Sequence, residues 1–204
     1  MLGGTILPSV RCLAVSKNLV FSAIPSALMT VDQVSMFLSL LALIAGVGTL
    51  LVLWALTPKG AGLRLWLVPQ ARTLALVVAA TSMAGSLYFS QVAHYTPCLL
   101  CWWQRIAMYP LVVVLGVGLW RRISDLAWLV LPLSLAGLAT SVYHYQLQVF
   151  PEQGSSCAPG ASCAFRWVES FGFISIPFMA GCGFAVISAL MILDSKFSQV
   201  KETA

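Results

Sequence analysis

The chain has 204 residues, of which 60% are hydrophobic and only 8% charged, and its mean hydropathy is +0.93. Ordinary globular domains carry about 25% charged residues, so this composition excludes a soluble enzyme, a disordered chain and a nucleic-acid binder. The net charge of +5 comes with no basic run longer than Arg121-Arg122. In so apolar a chain, scattered Lys and Arg mark membrane orientation rather than nucleic-acid contact.

Residues 1–33 read as an N-terminal extension, with a short extra helix as the competing reading. Arg11 and Lys17 oppose a span here. Leu19–Leu28 resembles the apolar part of a signal peptide, but no small-x-small cleavage site follows it, and Met29 and Met36 are alternative starts. Five later stretches approach the roughly 20 apolar residues that cross a bilayer: Val34–Leu56, Thr73–Ala93, Trp102–Trp120, Leu126–Leu147 and Phe173–Leu193. Only the third carries a charge, Arg105, near its start. All five must be helices, because an open sheet edge in lipid leaves backbone polar groups unpaired. Pro110 and Pro132 fall inside spans and predict kinks. Residues 195–204 are expected to form a cytoplasmic tail. The expected class is an all-α, multi-pass membrane protein.

Seven basic residues (Lys59, Arg64, Arg72, Arg121, Arg122, Lys196 and Lys201) fall on one side of this arrangement, and only Arg105 and Arg166 on the other. The positive-inside rule puts the first set in the cytoplasm. Cys98 and Cys101 lie between spans two and three, Cys157 and Cys163 between spans four and five. Two helices separate the loops, so both pairs face the same compartment, the oxidising outer side of a bacterial cytoplasmic membrane. Cys12, in the extension, and Cys182, between two glycines inside the last span, read as small apolar residues.

Thr96-Pro97-Cys98-Leu99-Leu100-Cys101 predicts a helix start, with Thr96 as N-cap and Pro97 at the first helical position. Both sulfurs then lie near a positive helix end, which lowers a thiol pKa, and Arg105 follows one turn after Cys101. A redox-active dithiol fits this pattern. The competing readings are a structural bridge, for which so short a loop removes little chain entropy, and half of a zinc site completed by the second pair or His144. No resident metal is expected outside the cytoplasm. Cys157 and Cys163 sit in a Gly/Ser/Pro-rich loop, exposed and open to another protein. They read either as a loop staple or, beside the first pair, as a relay working by thiolate attack through mixed disulfides. No haem, dinucleotide or iron–sulfur motif is present to take electrons, so the acceptor expected at head-group level is a lipid-soluble quinone. Arg105 can bond a quinone oxygen. His144 and Gln148, four apart on span four, are expected to complete the pocket, unless His144 is simply an interhelical hydrogen-bonding residue.

Cys98-Leu-Leu-Cys101-Trp-Trp-Gln-Arg105 with Met108-Tyr109-Pro110, His144-x-x-Leu147-Gln148-x-Phe150-Pro151, and Gly172-Phe173-x-Ser175-Ile176-Pro177-Phe178 resemble the DsbB/BdbC family of membrane thiol–quinone oxidoreductases. The resemblance covers residues 73–194 and implies a four-helix transmembrane bundle core, with 34–56 as an extra N-terminal helix. It implies reoxidation of a DsbA-like thioredoxin-fold partner, with electrons passing to ubiquinone or menaquinone. By this resemblance a reduced partner attacks Cys157, whose disulfide mate is Cys163. Cys98 exchanges with the loop pair, and Cys101 stands next to the quinone beside Arg105. The short spacing between Cys157 and Cys163 is similar to the BdbC branch. Two other classes remain open. Vitamin K epoxide reductase-like enzymes place the loop pair before the C-x-x-C, the reverse of the order here. In a non-enzymatic membrane protein both pairs are staples that never cycle.

Overall fold

The computed structural model describes residues 30–153 and 162–197. Cys12, Cys157 and Lys201 lie outside them. All the regular elements among the described residues are helical, apart from one isolated antiparallel bridge between Ser170 and Ile174. Among the described residues, five helices are long and apolar enough to cross a membrane.

Helix α1 spans Val31–Ala55. It starts three residues before the expected Val34 because Thr30 and Gln33 form a reciprocal cap. Thr30 Oγ1 accepts from the Gln33 amide, and Gln33 Oε1 accepts from the Thr30 amide at 3.0 Å, which satisfies two otherwise orphaned donors. Residues 57–72, which join the first two spans, are largely helical. A 3₁₀ turn at Pro58–Gly60 leads into α2, Ala61–Leu67, and a second 3₁₀ turn at Val68–Gln70 leads into α3, Ala71–Leu87. Helix α2 buries Leu67 and leaves Leu65 and Trp66 exposed, while Arg64 stacks over the Phe197 ring.

Helix α3 buries Ala71, Ala75 and Ala79, a four-residue repeat along one face. It continues into a π-helical turn at Tyr88–Val92. Helix α4 spans Leu99–Arg121 and α5 spans Leu126–Val149, running through Pro110 and Pro132 respectively. Arg122, with φ of 50°, closes α4 in a left-handed cap. Helix α6, Ile176–Phe197, begins three residues after the expected Phe173. Phe171 and Gly172 both have positive φ, and the Ser170–Ile174 bridge folds this stretch into a tight turn. The helix starts beyond it, with Pro177 in its first turn, where a missing N–H costs nothing.

Helices α3, α4, α5 and α6 form the four-helix bundle, and α1 packs on the outside against α6. The α1 face turned inward is made of small residues, Ser35, Ser39 and Ala42, with Val52 and Ala55 further along. Small side chains let membrane helices approach closely. Gly137 makes a comparable fit on α5, where a Cβ would run into the Phe184 ring. The apolar core, including Leu111, Leu115, Leu126, Val130, Ile187 and Met191, occupies the half of the bundle nearest the basic loops. At that end Arg72 pairs with Asp194 at 2.8 Å and donates to the carbonyls of Ile123 and Ser124, tying α3, α6 and the α4–α5 turn together. Exposed tryptophans ring both ends: Trp54, Trp66, Trp120 and Trp128 at the basic end, Trp102 and Trp103 at the other.

Candidate functional site

The end opposite the basic loops carries the cysteines. Helix α4 begins two residues later than expected, and its cap is Cys98 rather than Thr96. Cys98 is extended, and its sulfur accepts from the Cys101 amide at 3.4 Å, the bond a serine or aspartate cap normally makes. The C-x-x-C therefore builds its own helix start. The two sulfurs stand 3.1 Å apart, with Cys98 donating to Cys101. That donation, followed by burial, pushes the Cys98 thiol up to about 11. For Cys98 the lowering expected from the helix end is thus reversed, because a proton shared with the neighbouring sulfur is harder to remove.

His144, buried on α5, reaches the dithiol from the side. Its Nε2 lies 3.5 Å from Cys98 Sγ and 3.1 Å from the Cys163 carbonyl. A carbonyl only accepts, so Nε2 carries the proton in that bond. The same N–H points toward Cys98, and its proximity opposes the rise in the Cys98 pKa. Gln148, one turn on, donates to the Phe165 carbonyl at 3.3 Å, and Arg166 donates back to the Gln148 carbonyl at 3.1 Å. His144 and Gln148 thus fasten the segment after Cys163 onto the bundle. The Cys163 thiol faces the first-turn amides of Leu99 and Leu100 and the Cys98 sulfur, and burial raises its pKa. An aromatic stack secures the same segment from the other side. Phe89 of the π-helical turn stacks on Tyr95, Tyr95 on Trp167 at 4.8 Å, and Phe165 meets Trp167 edge-on at 4.9 Å.

Arg105 lies on the opposite flank of the dithiol. Its Nε donates to Ser86 Oγ at 3.0 Å and its Nη2 to the Ser86 carbonyl at 3.2 Å, while Tyr109 shares the Ser86 hydroxyl at 3.2 Å. Arg105, Gln104, Ser86 and Cys101 line a cavity of about 290 Å³ that runs down to Met108 and Ala45. The residues expected together at one acceptor pocket are therefore divided between two places. Arg105 lines the cavity. His144 and Gln148 line a separate cleft with Cys98, too small for more than a water molecule. Cys101 borders both. Their four-residue spacing correctly puts His144 and Gln148 on one face of α5, but spacing says nothing about which neighbour that face meets. Ser86, Tyr95 and Trp167 were not anticipated at the site. Tyr109 belonged to the recognised motif, whereas Ser86 sits in an ordinary run of small residues on α3.

Cys98 Sγ, Cys101 Sγ and His144 Nε2 lie within 4.8 Å of one another, the spacing of three metal ligands. A ligating imidazole normally anchors its second nitrogen to a carboxylate, carbonyl or water. Among the described residues His144 Nδ1 is buried with no partner, and Nε2 is engaged by the Cys163 carbonyl, so the ring shows no second-nitrogen anchor of the kind a ligating imidazole usually has.

Residues 69–193 match the family described as disulfide bond formation protein DsbB. A probable disulfide formation protein of Oceanobacillus iheyensis is 44% identical over 133 residues, 62% of this chain and 92% of that protein. Probable disulfide formation protein C of Halalkalibacterium halodurans is 42% identical, over 59% of this chain and 90% of its own length. Disulfide bond formation protein C of Bacillus subtilis is 41% identical, over 57% and 86%. No solved structure gives a significant match. The match takes in α3 to α6 with the whole cysteine-bearing end, and on that ground the chain belongs to the DsbB family, oxidoreductases of disulfide-bond formation.

Proposed function

We propose that the protein reoxidises an extracytoplasmic, DsbA-like thioredoxin-fold dithiol and delivers the electrons to a membrane quinone, ubiquinone or menaquinone. The observation that carries this reading is the position of Cys101, with the Cys98–Cys163 side on one flank and the Arg105 cavity on the other. The cavity fits an acceptor of this kind in three respects: it is mostly apolar, its volume lies at the lower bound of small-molecule pockets, and Arg105 and Gln104 line it together with Cys101. A quinone bound there supplies an acceptor for two electrons and two protons.

The steps follow from the thiol chemistry. A thiolate of the reduced partner attacks Cys157 of an oxidised Cys157–Cys163 pair, forming a mixed disulfide and releasing Cys163. Cys163, facing Cys98, attacks it. The Cys163–Cys98 bond forms, the Cys98–Cys101 bond breaks, and Cys101 leaves as a thiolate beside Arg105. The partner's second thiol then displaces Cys157 and departs oxidised. Cys157 re-forms its bond with Cys163, releasing Cys98. Cys98 and Cys101 are then left as a dithiol, and closing their bond again would release an electron pair and protons to a quinone held by the Arg105 cavity. The His144 N–H stabilises the Cys98 thiolate each time it forms.

The test is purified protein in detergent, given a reduced thioredoxin-fold dithiol and a quinone. Stoichiometric quinol formation is expected from the wild type. Cys98→Ser should still capture the partner through the loop, and Cys157→Ser should not. Wild-type protein whose cysteines stay oxidised while the partner remains reduced would sink the reading in favour of structural staples.

A further inference from the structure

Helix α1 lies outside the stretch that matches the family, yet it forms part of the cavity beside Cys101. Leu38, Leu41, Ala42, Ile44 and Ala45 line it, all from one helix and all apolar. Leu38, Leu41 or Ala42, and Ala45 follow the three-to-four-residue spacing of a single helical face. The polar groups of the cavity come instead from α3, α4 and the segments around Tyr95 and Trp167. The wall is closely fitted at its edges. On α6, Ser39 Oγ lies 3.8 Å from Met179 Sδ. On α3, a Cβ at Gly85 would come within 3.0 Å of a Leu38 methyl. Helix α1 thus packs on α6 and reaches α3 at Leu38, closing one side of the cavity.

We infer that α1 is a component of the acceptor site, contacting the apolar tail of a prenylated quinone while Arg105 and Cys101 attend its head. This rests on the quinone reading above. Because the wall offers no hydrogen-bonding side chain, its contribution scales with apolar contact. It therefore favours a quinone with a prenyl tail over the same ring without one.

The test is photolabelling of the full chain in lipid nanodiscs with an azidobenzoquinone bearing a prenyl tail, followed by peptide mapping. Label is expected on the α1 peptide containing 38–45 as well as on α4. In parallel, Ala45→Phe and Leu41→Phe should each raise KM for a prenylated quinone about tenfold, and KM for a tail-less benzoquinone by less than threefold. Leu50→Phe, on the lipid-facing side of α1 away from the cavity, should keep the wild-type KM and serves as the packing control. Label confined to α3, α4 and α6, with unaltered KM in whichever phenylalanine variant folds, overturns the inference while leaving the quinone reading standing. A wild type that neither takes up label nor reduces quinone overturns both.

Discussion

Arg105 holds Ser86 with two donors in a planar fork, a geometry lysine cannot reproduce. Arg105→Lys keeps the charge and reaches the interface equally well. It should insert normally and raise KM for quinone about tenfold, the equivalent of ~1.4 kcal/mol of lost hydrogen bonding. Wild-type quinone kinetics in that variant would leave Arg105 as an interface anchor only. Cys163 supplies a pH dependence. Burial raises its pKa above the ordinary value, so near neutrality the thiol is almost wholly protonated and the attacking thiolate grows as pH rises. The exchange from Cys163 to Cys98, followed by rapid quench, should accelerate about tenfold per unit between pH 7 and 9. A plateau below pH 8 would mean that this thiol is not the attacker. At this scale the sequence was legible for residue type and poorly legible for state. Cys98, Cys101 and Arg105 stand out by spacing, but the direction of the Cys98 shift depends on a 3.1 Å contact with its neighbour. That contact follows from a helix start two residues later than the proline suggests.

Among the elements, the Arg72–Asp194 pair is the main polar clamp at the cytoplasm-facing end proposed for the bundle. Asp194 is almost fully buried and Arg72 largely so. Removing one partner of such a pair leaves the other charge uncompensated, typically at about 3–5 kcal/mol. Asp194→Asn should fall at the lower end, since Arg72 keeps the carbonyls of Ile123 and Ser124. Thermal unfolding in detergent checks this, and an unchanged midpoint would show the pair to be dispensable. Span positions were readable to within a few residues because a run of apolar side chains is a strong signal. Their ends were less so, and for identifiable reasons. The Thr30–Gln33 cap extends α1 backward, and the positive φ at Phe171 and Gly172 delays α6. Helix α2 is too short to register as a period. The division of Arg105 from His144 and Gln148 depends on how α3, α4 and α5 pack, which no local pattern encodes.

For the whole molecule, helix direction alone puts the described cysteines of both loops at one end and the basic loops at the other. If the positive-inside reading holds, membrane-impermeant thiol reagents applied to intact, reduced cells should label Cys163 and Cys157. Labelling that appears only after the membrane is opened would invert the topology. The number of membrane-spanning helices among the described residues and their up-and-down order were legible from hydropathy and charge. The docking of α1 over the Arg105 cavity was not, because it joins residues far apart in the chain through small side chains that carry little individual signal.

The two tryptophan rings have a consequence of their own. On α4, Trp103 and Trp120 are separated by seventeen residues, ~25 Å along the axis at 1.5 Å per residue. Indoles settle at the lipid–water boundary, so the rings act as a gauge of bilayer thickness. Cys101 is the residue next to Trp102, and its height is therefore set relative to the membrane surface by the lipid as well as by the fold. Longer acyl chains draw the dithiol down into hydrocarbon, away from the aqueous phase where the proposed partner would dock. Shorter chains lift it clear of the depth at which the proposed quinone would reside. Tilting or local deformation of the bilayer absorbs only part of such a mismatch. Turnover in vesicles of graded chain length should accordingly pass through a maximum, so that membrane composition itself adjusts the rate of oxidation.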